Sequence, residues 1–130
     1  MSECFLDDLY KQGLRHMAVG MDNNNDRALS VAMHCFKKAA EGGHAEAQCG
    51  IAICFVGGMG IEKNIQQAEY WAKKSSEQGN PYAMAVMGVC CLTKKDYANA
   101  EYWFQKSMDA GNSDAEEVLE RLRKTSPTKL

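Results

Sequence analysis

Cysteine and histidine are the residue types in this chain that most readily bind metals, and the chain has six cysteines and three histidines. A zinc site usually contains cysteines two to four residues apart, followed by a second pair of ligands. Cys49 and Cys54 are five residues apart, which separates them by about 140° around a helix. Cys90 and Cys91 are adjacent and diverge by about 100°. Neither pair makes a chelate, so we predict no metal site and interpret the cysteines as small buried hydrophobic residues.

A cysteine beside a histidine can also act as a nucleophile, and His34 precedes Cys35 directly. Adjacent residues on a helix point apart, and no third group completes a catalytic arrangement. Cys35 also occupies a position that tryptophan fills elsewhere in the chain. We therefore predict no catalytic residue, no cofactor and no enzymatic activity.

Three further patterns could bind phosphate, anions or nucleic acid. Gly57–Gly60 lacks the Gly-Lys-Ser/Thr ending of a phosphate-binding loop and follows no predicted strand, so it is interpreted as a turn. Paired lysines recur with acidic residues about four positions away, which predicts a solvated, ion-paired helix face. The aromatic pairs Tyr70-Trp71 and Tyr102-Trp103 repeat without a surplus of basic residues and predict core packing. With a net charge of −2, nucleic acid is not an expected partner.

Composition is that of one soluble globular domain, with 130 residues of which 45% are apolar and 25% charged. No run approaches the ~18 apolar residues that a membrane span requires. The first eight residues are acidic and lack the features of a signal peptide. We therefore expect a cytoplasmic protein with no membrane contact, and reduced cysteines fit that compartment.

An internal repeat organises the sequence. Gly43, Gly79 and Gly111 end three similar segments, at spacings of 36 and 32 residues. The same two offsets relate further columns: Ala32, Ala68 and Ala100; Cys35, Trp71 and Trp103; Ala47, Ala83 and Ala115. Small residues stand where paired helices would approach closely: Ala47, Ala52, Ala68, Ala83, Gly88 and Ala100. A period in this range indicates a solenoid of stacked helical units.

The second copy shows the pattern most fully. It holds, in order, Ala47, Ile51-Ala52, Phe55, Gly58-x-Gly60-Ile61, Ala68, Trp71 and Lys74-Ser75-Ser76-Glu77-x-Gly79. This order resembles the Sel1-like repeat, a relative of the tetratricopeptide repeat with a longer inner loop. The third copy departs from it at Cys91, where an aromatic residue is usual, and its loop is four residues shorter. The resemblance implies a right-handed α/α solenoid whose curved surface binds other proteins.

The chain is thus predicted to be all-α, with about three helix-turn-helix repeats and a C-terminal capping helix. The predicted domain spans residues 1–124, with units at about 3–43, 44–79 and 80–111, a capping helix at 113–124 and a tail at 125–130. The first helix is predicted at 3–18, before a loop from Gly20 to Asn25. Predicted caps are Asp26, Asn64, Asn80 and the segment Ser113–Glu116.

The face of each first helix that points away from its partner is unusually apolar. By analogy with tetratricopeptide repeats, this face lines the concave surface of the solenoid. We expect partner contacts from Glu46, Cys49, Ile53, Val56, Tyr82, Val86, Val89 and Leu92. An exposed apolar groove would bind a hydrophobic peptide or helix. Alternatively, the face is buried because neighbouring first helices pack together.

The sequence therefore predicts a non-catalytic scaffold or adaptor whose partner is a protein or peptide. The alternative is a structural homo-oligomer that uses the same face to associate with a second copy.

Overall fold

The computed structural model describes residues 3–125, which form helices joined by short turns and contain no strand. The all-α solenoid is therefore confirmed. The helices are α1 (Glu3–Asp22), α2 (Asp26–Glu41), α3 (Ala45–Gly57), α4 (Ile65–Glu77), α5 (Pro81–Thr93), α6 (Tyr97–Asp109) and α7 (Ala115–Thr125). The predicted tail, apart from Thr125, lies outside the described residues.

Side-chain caps set most of the helix starts. The Oδ1 atoms of Asn64 and Asn80 accept backbone N–H groups of the first helical turn, as predicted. The prediction of Asp26 as a cap was wrong, because Asn25 accepts from the N–H groups of Arg27 and Ala28. Neighbouring Asn and Asp residues cap helices about equally well, so local sequence does not separate them.

The first helix is longer than predicted and ends at Asp22. The predicted loop at Gly20 was wrong because this glycine packs inside the helix pair. A β-carbon there would lie 2.7 Å from the side chain of Leu29 on α2. Gly20 therefore permits close approach of α1 and α2, and the connection shrinks to Asn23–Asn25.

Small residues bring the two helices of each unit together. A β-carbon added to Gly13 on α1 would lie 2.7 Å from Phe36, and one added to Gly88 on α5 would lie 2.7 Å from Phe104. Because Phe36 and Phe104 hold equivalent places in the repeat, Gly13 and Gly88 are structural equivalents. This contact fixes the register of α1, which the spacing of the later units does not give. Ala52 is buried in the matching place on α3.

Hydroxyl groups tie the second helix of a unit to the start of its first helix. Ser75 Oγ donates to the carbonyl of Ala45 at 2.7 Å, and Ser107 Oγ donates to the carbonyl of Pro81 at 2.5 Å. Both serines are fully buried. A carbonyl in the first helical turn is thus satisfied by the neighbouring helix, which holds each pair in register.

Gly57–Gly60 forms a helix-to-helix turn, as interpreted. Gly58 and Gly60 have φ values of 68° and 72°, which other residues rarely adopt. A β-carbon at Gly60 would lie 2.7 Å from the carbonyl oxygen of Leu29. The turn therefore rests directly on the backbone of α2.

The last helix covers the core of the third unit. Its Ala115, Leu119 and Leu122 are buried with Cys91 and Phe104. The predicted role of α7 as a capping helix is therefore confirmed. The predicted capping box at Ser113 is not what holds its first turn, because Asn112 Oδ1 accepts the N–H of Asp114.

Candidate interaction surface

The thiol groups lie in the core rather than in a reactive site. Cys35, Cys49, Cys54, Cys90 and Cys91 are free and buried. Burial raises the pKa of Cys49 to about 12 and those of Cys54 and Cys90 to about 11. Because the thiolate is the nucleophile and the metal ligand, burial makes Cys49, Cys54 and Cys90 less reactive near neutral pH. No cluster of His, Cys, Asp or Glu suited to a metal ion occurs within residues 3–125.

The paired lysines are exposed, as predicted: Lys37-Lys38 lie on α2, Lys73-Lys74 on α4 and Lys94-Lys95 in the turn after α5. The predicted ion pairs to acidic residues on the same helices are absent among the described residues, so that part of the interpretation was wrong. Lys94 instead forms an ion pair with Glu69 of α4. Lys74 Nζ lies 5.0 Å from the ring centre of Tyr70, and the single lysine Lys106 has its Nζ 5.2 Å from that of Trp103, so these two make cation–π contacts.

The first helices share one outward-facing position. The residue after each close-packed small residue is Leu14 on α1, Ile53 on α3 and Val89 on α5, and these are 45%, 42% and 37% exposed. Their exposure shows that this face is not closed by packing between neighbouring first helices. On α7 the equivalent residue is Arg121, which is also exposed.

An apolar groove of about 350 Å³ lies between α1 and α3. Its lining residues come from four helices and two turns: Tyr10, Leu14, Met17, Met21, Phe36, Glu46, Cys49, Gly50, Ile53, Cys54, Met59, Asn80 and Tyr82. Three methionines and two cysteines give it a sulfur-rich lining. Side chains of this kind adapt to irregular shapes.

Four of the eight residues predicted for the concave face line this groove: Glu46, Cys49, Ile53 and Tyr82. Glu46, Ile53 and Tyr82 are exposed, whereas Cys49 is buried in the groove floor. The other four do not line it: Val56, Val86, Val89 and Leu92. Val86 is buried, Val56 and Leu92 are half-buried, and Val89 remains accessible on α5.

The α1 side of the groove was not predicted. Tyr10, Leu14, Met17 and Met21 fall at i, i+4, i+7 and i+11, which places them in one stripe along the helix. The spacing was visible in the sequence, but the predicted helix ended before Met21. That residue is 61% exposed at the open edge of the groove.

A polar rim closes the groove where α3 begins. His44 caps α3, since its Nδ1 accepts the N–H of Ala47 at 3.1 Å. The proton must then lie on Nε2, which faces Asp7 Oδ1 at 3.4 Å. Glu46 Oε2 lies 3.6 Å from His44 Nδ1. Because that nitrogen is already an acceptor, it has no proton to offer Glu46.

Each helix pair matches the family model described as Sel1 repeat, over residues 9–44, 45–80 and 81–112. The chain belongs to the Sel1 repeat family. It is also similar to the crystal structure of a Sel1 repeat protein from Oxalobacter formigenes, with 25% sequence identity and a TM-score of 0.69. The match covers 89% of this chain and 88% of that one. Among the curated proteins, none matches.

Sel1 repeats generally mediate protein–protein interaction. None of the described helices has a stretch long and apolar enough to span a membrane. These findings define the class of protein. Which surface is available to a partner depends on the groove and on the two ends of the repeat array.

The N-terminal end of the Sel1 array is polar. A β-carbon on Gly50 of α3 would lie 3.9 Å from Phe36, so this side of a first helix faces the preceding repeat. On the same side of α1 the chain places Asp8, Gln12 and Arg15, which are all exposed. The equivalent buried residues of the second repeat are Ala47, Ile51 and Cys54. The middle of the outer side of α1 is therefore polar, whereas Phe5 and Val19 at the two ends of the same stripe are 50% and 46% exposed.

The C-terminal end of the array is also polar. On the side of α7 that would meet a following second helix stand Glu116, Glu120 and Arg123, which are exposed. Glu120 holds the position of Gly88. Arg123 turns back to α6, with Nε at 2.9 Å from Glu101 Oε1. Exposed apolar side chains also occur on the second helices, at Val31, Tyr70 and Tyr102, but most of the exposed apolar residues that line the groove lie on the first helices.

Proposed function

We propose that the chain is a non-catalytic scaffold or adaptor that binds a peptide or helix of a partner protein in the apolar groove between α1 and α3. The observation that carries this proposal is the exposure of Leu14, Ile53 and Tyr82 around one groove. Contiguous exposed apolar surface of this kind marks interaction sites. The buried free thiols support a cytoplasmic location, where thiols stay reduced.

The size of the groove suits insertion of a few side chains. Its volume of about 350 Å³ falls at the lower end of the ~300–1,000 Å³ typical of ligand sites. Burying apolar surface contributes about 25 cal/mol per Å², and the methionine side chains can adjust to the shape of the partner. Of the predicted contacts, Glu46, Cys49, Ile53 and Tyr82 belong to this site. Val89 would extend it toward α5, whereas Val56, Val86 and Leu92 contribute less accessible surface.

A matched pair of variants tests the surface. Ile53 and Val31 are β-branched aliphatic residues of similar exposure, 42% and 38%, but Val31 lies on α2 outside the groove. Peptides would be selected from a displayed random library on the wild-type chain and their dissociation constants measured by fluorescence anisotropy. We expect Ile53→Asp to weaken binding about tenfold or more, because it places a charge in the apolar site, and Val31→Asp to leave binding unchanged.

Circular dichroism would show that both variants keep the wild-type helix content. Equal affinities for Ile53→Asp and the wild type would remove the groove as the binding site. Light scattering across a concentration series addresses the alternative of self-association. A dimer that is lost in Ile53→Asp would assign the face to contact with a second copy.

A further inference from the structure

Glu46 is the one residue lining the groove that carries a charge at neutral pH. It lies in the first turn of α3, and its side chain is 61% exposed. The carboxylate also borders two polar depressions beside the groove, one toward Asp7 and one toward Gln78 and Asn80. An accessible anion therefore stands where the apolar lining ends.

No lysine or arginine pairs with this carboxylate among the described residues. His44 approaches it through the nitrogen that accepts the Ala47 N–H. On the same rim, Asp7 is already paired with Lys11, whose Nζ lies 3.0 Å from it. The residues that face Glu46 from α5, Asn80 and Tyr82, are uncharged.

Two groups in the groove lie close enough to the Glu46 carboxylate to interact with it. Burial raises the pKa of Tyr10, and the neighbouring Cys49, Glu46 and Asp7 raise it further. Burial likewise raises the pKa of Cys49 to about 12, with a further contribution from Glu46. A ligand that enters the groove thus meets an apolar floor beside the Glu46 carboxylate, which favours cationic over anionic segments.

We propose that the partner segment is amphipathic and basic, with apolar side chains that fill the groove and a lysine or arginine that pairs with Glu46. This proposal rests on the proposed function. Glu46 and Ile53 are seven residues apart on α3, which is about 10 Å along a helix. The basic residue and the apolar anchor must match that separation. In a helical partner the basic residue and the apolar anchor would be about seven positions apart. In an extended partner, at ~3.3 Å per residue, they would be about three positions apart.

The charge pairing is tested with a displayed random peptide library selected on the full chain, and with single peptides from it. We expect selected peptides to carry Lys or Arg at the stated distance from an apolar residue. Glu46→Gln should weaken them about three- to tenfold, and Glu46→Lys should weaken them more. A peptide whose basic residue is changed to Glu should regain affinity for Glu46→Lys. Glu120→Gln, an exposed carboxylate on α7, is the matched control and should have no effect.

The outcomes separate this proposal from the one on which it rests. Peptides that lose binding in Ile53→Asp, but carry no basic residue and ignore Glu46→Lys, would overturn the charge pairing and leave the groove as the site. Peptides that ignore both variants, or a library that yields no binder, would overturn both proposals.

Discussion

On α3 the residue after the close-packed Ala52 is Ile53, an exposed aliphatic side chain at the groove. On α7 the equivalent residue is Arg121, an exposed cation. Arg121 pairs with Glu117 of its own helix at 2.6 Å, and Glu117 replaces the buried Cys49. The two helices occupy equivalent places in the array but meet solvent with opposite surfaces. Equivalent position in a repeat therefore does not determine whether a helix can bind a partner.

The difference follows from the number of neighbours each helix has. α3 contacts α2, α4 and α5, so apolar residues occur all around it. α7 packs against α6 and buries one side, with charges on the other. What the two helices share is the inner side, where Ile51 and Leu119 are each 1% exposed.

The largest effect we predict concerns that shared inner side. Leu119→Ala and Ile51→Ala should each lower the free energy of unfolding by about 2–5 kcal/mol, because each leaves a cavity in a buried cluster. Urea unfolding followed by circular dichroism measures the change. Gln12→Ala, at the equivalent exposed position of α1, is the control and should stay within ~0.5 kcal/mol of the wild type. A harmless Leu119→Ala would mean that α7 does not belong to the core.

On the side where the second helix α6 packs against α5, a smaller effect distinguishes α5 from α7. Gly88→Ala should destabilise the protein by about 1–3 kcal/mol, since its β-carbon would lie 2.7 Å from Phe104. Alanine normally stabilises a helix relative to glycine, so the sign itself reports the close contact. Glu120→Ala, in the same register on α7, should change stability little. Stabilisation by Gly88→Ala would show that the α5–α6 pair is looser than described.

The last effect is a pH dependence to which the buried thiols of the interior first helices contribute. In the folded state burial raises the pKa of Cys49 from 9.0 to about 12 and that of Cys54 from 9.0 to about 11. The folded state therefore holds these protons after the unfolded chain has released them, and stability should fall as pH rises above about 9. Urea titrations at pH 7 to 10.5 measure the slope. Cys54→Ala should reduce it.

The sequence was sufficient to predict the helix ends that depend on residues close by in the chain. The second helices end two residues before Gly43, Gly79 and Gly111, and α4 and α5 begin directly after the predicted caps Asn64 and Asn80. The prediction failed for the end of α1, because Gly20 is held in the helix by Leu29 and not by its neighbours in sequence. A contact between distant residues of this kind leaves no local pattern.

Only part of the lining of the groove was predicted, for a related reason. The repeat offsets carried the analogy to α3 and α5, which gave Glu46, Ile53 and Tyr82. They did not carry it to α1, whose connection to α2 differs in length, so Leu14 and Met21 were missed. Only the packing of Gly13 under Phe36 supplies that register. Which positions stay accessible depends on how neighbouring helices stack, and that is a property of the assembled fold.

The sulfur-rich lining of the groove has a chemical consequence. Met17, Met21 and Met59 all border it, and Met21 is 61% exposed to solvent. Oxidation converts a thioether into a polar sulfoxide, which reductases can reverse. Oxidation of Met21, the most exposed of the three, would make this edge of the groove polar. Its capacity to hold an apolar partner would then follow the oxidant level around it.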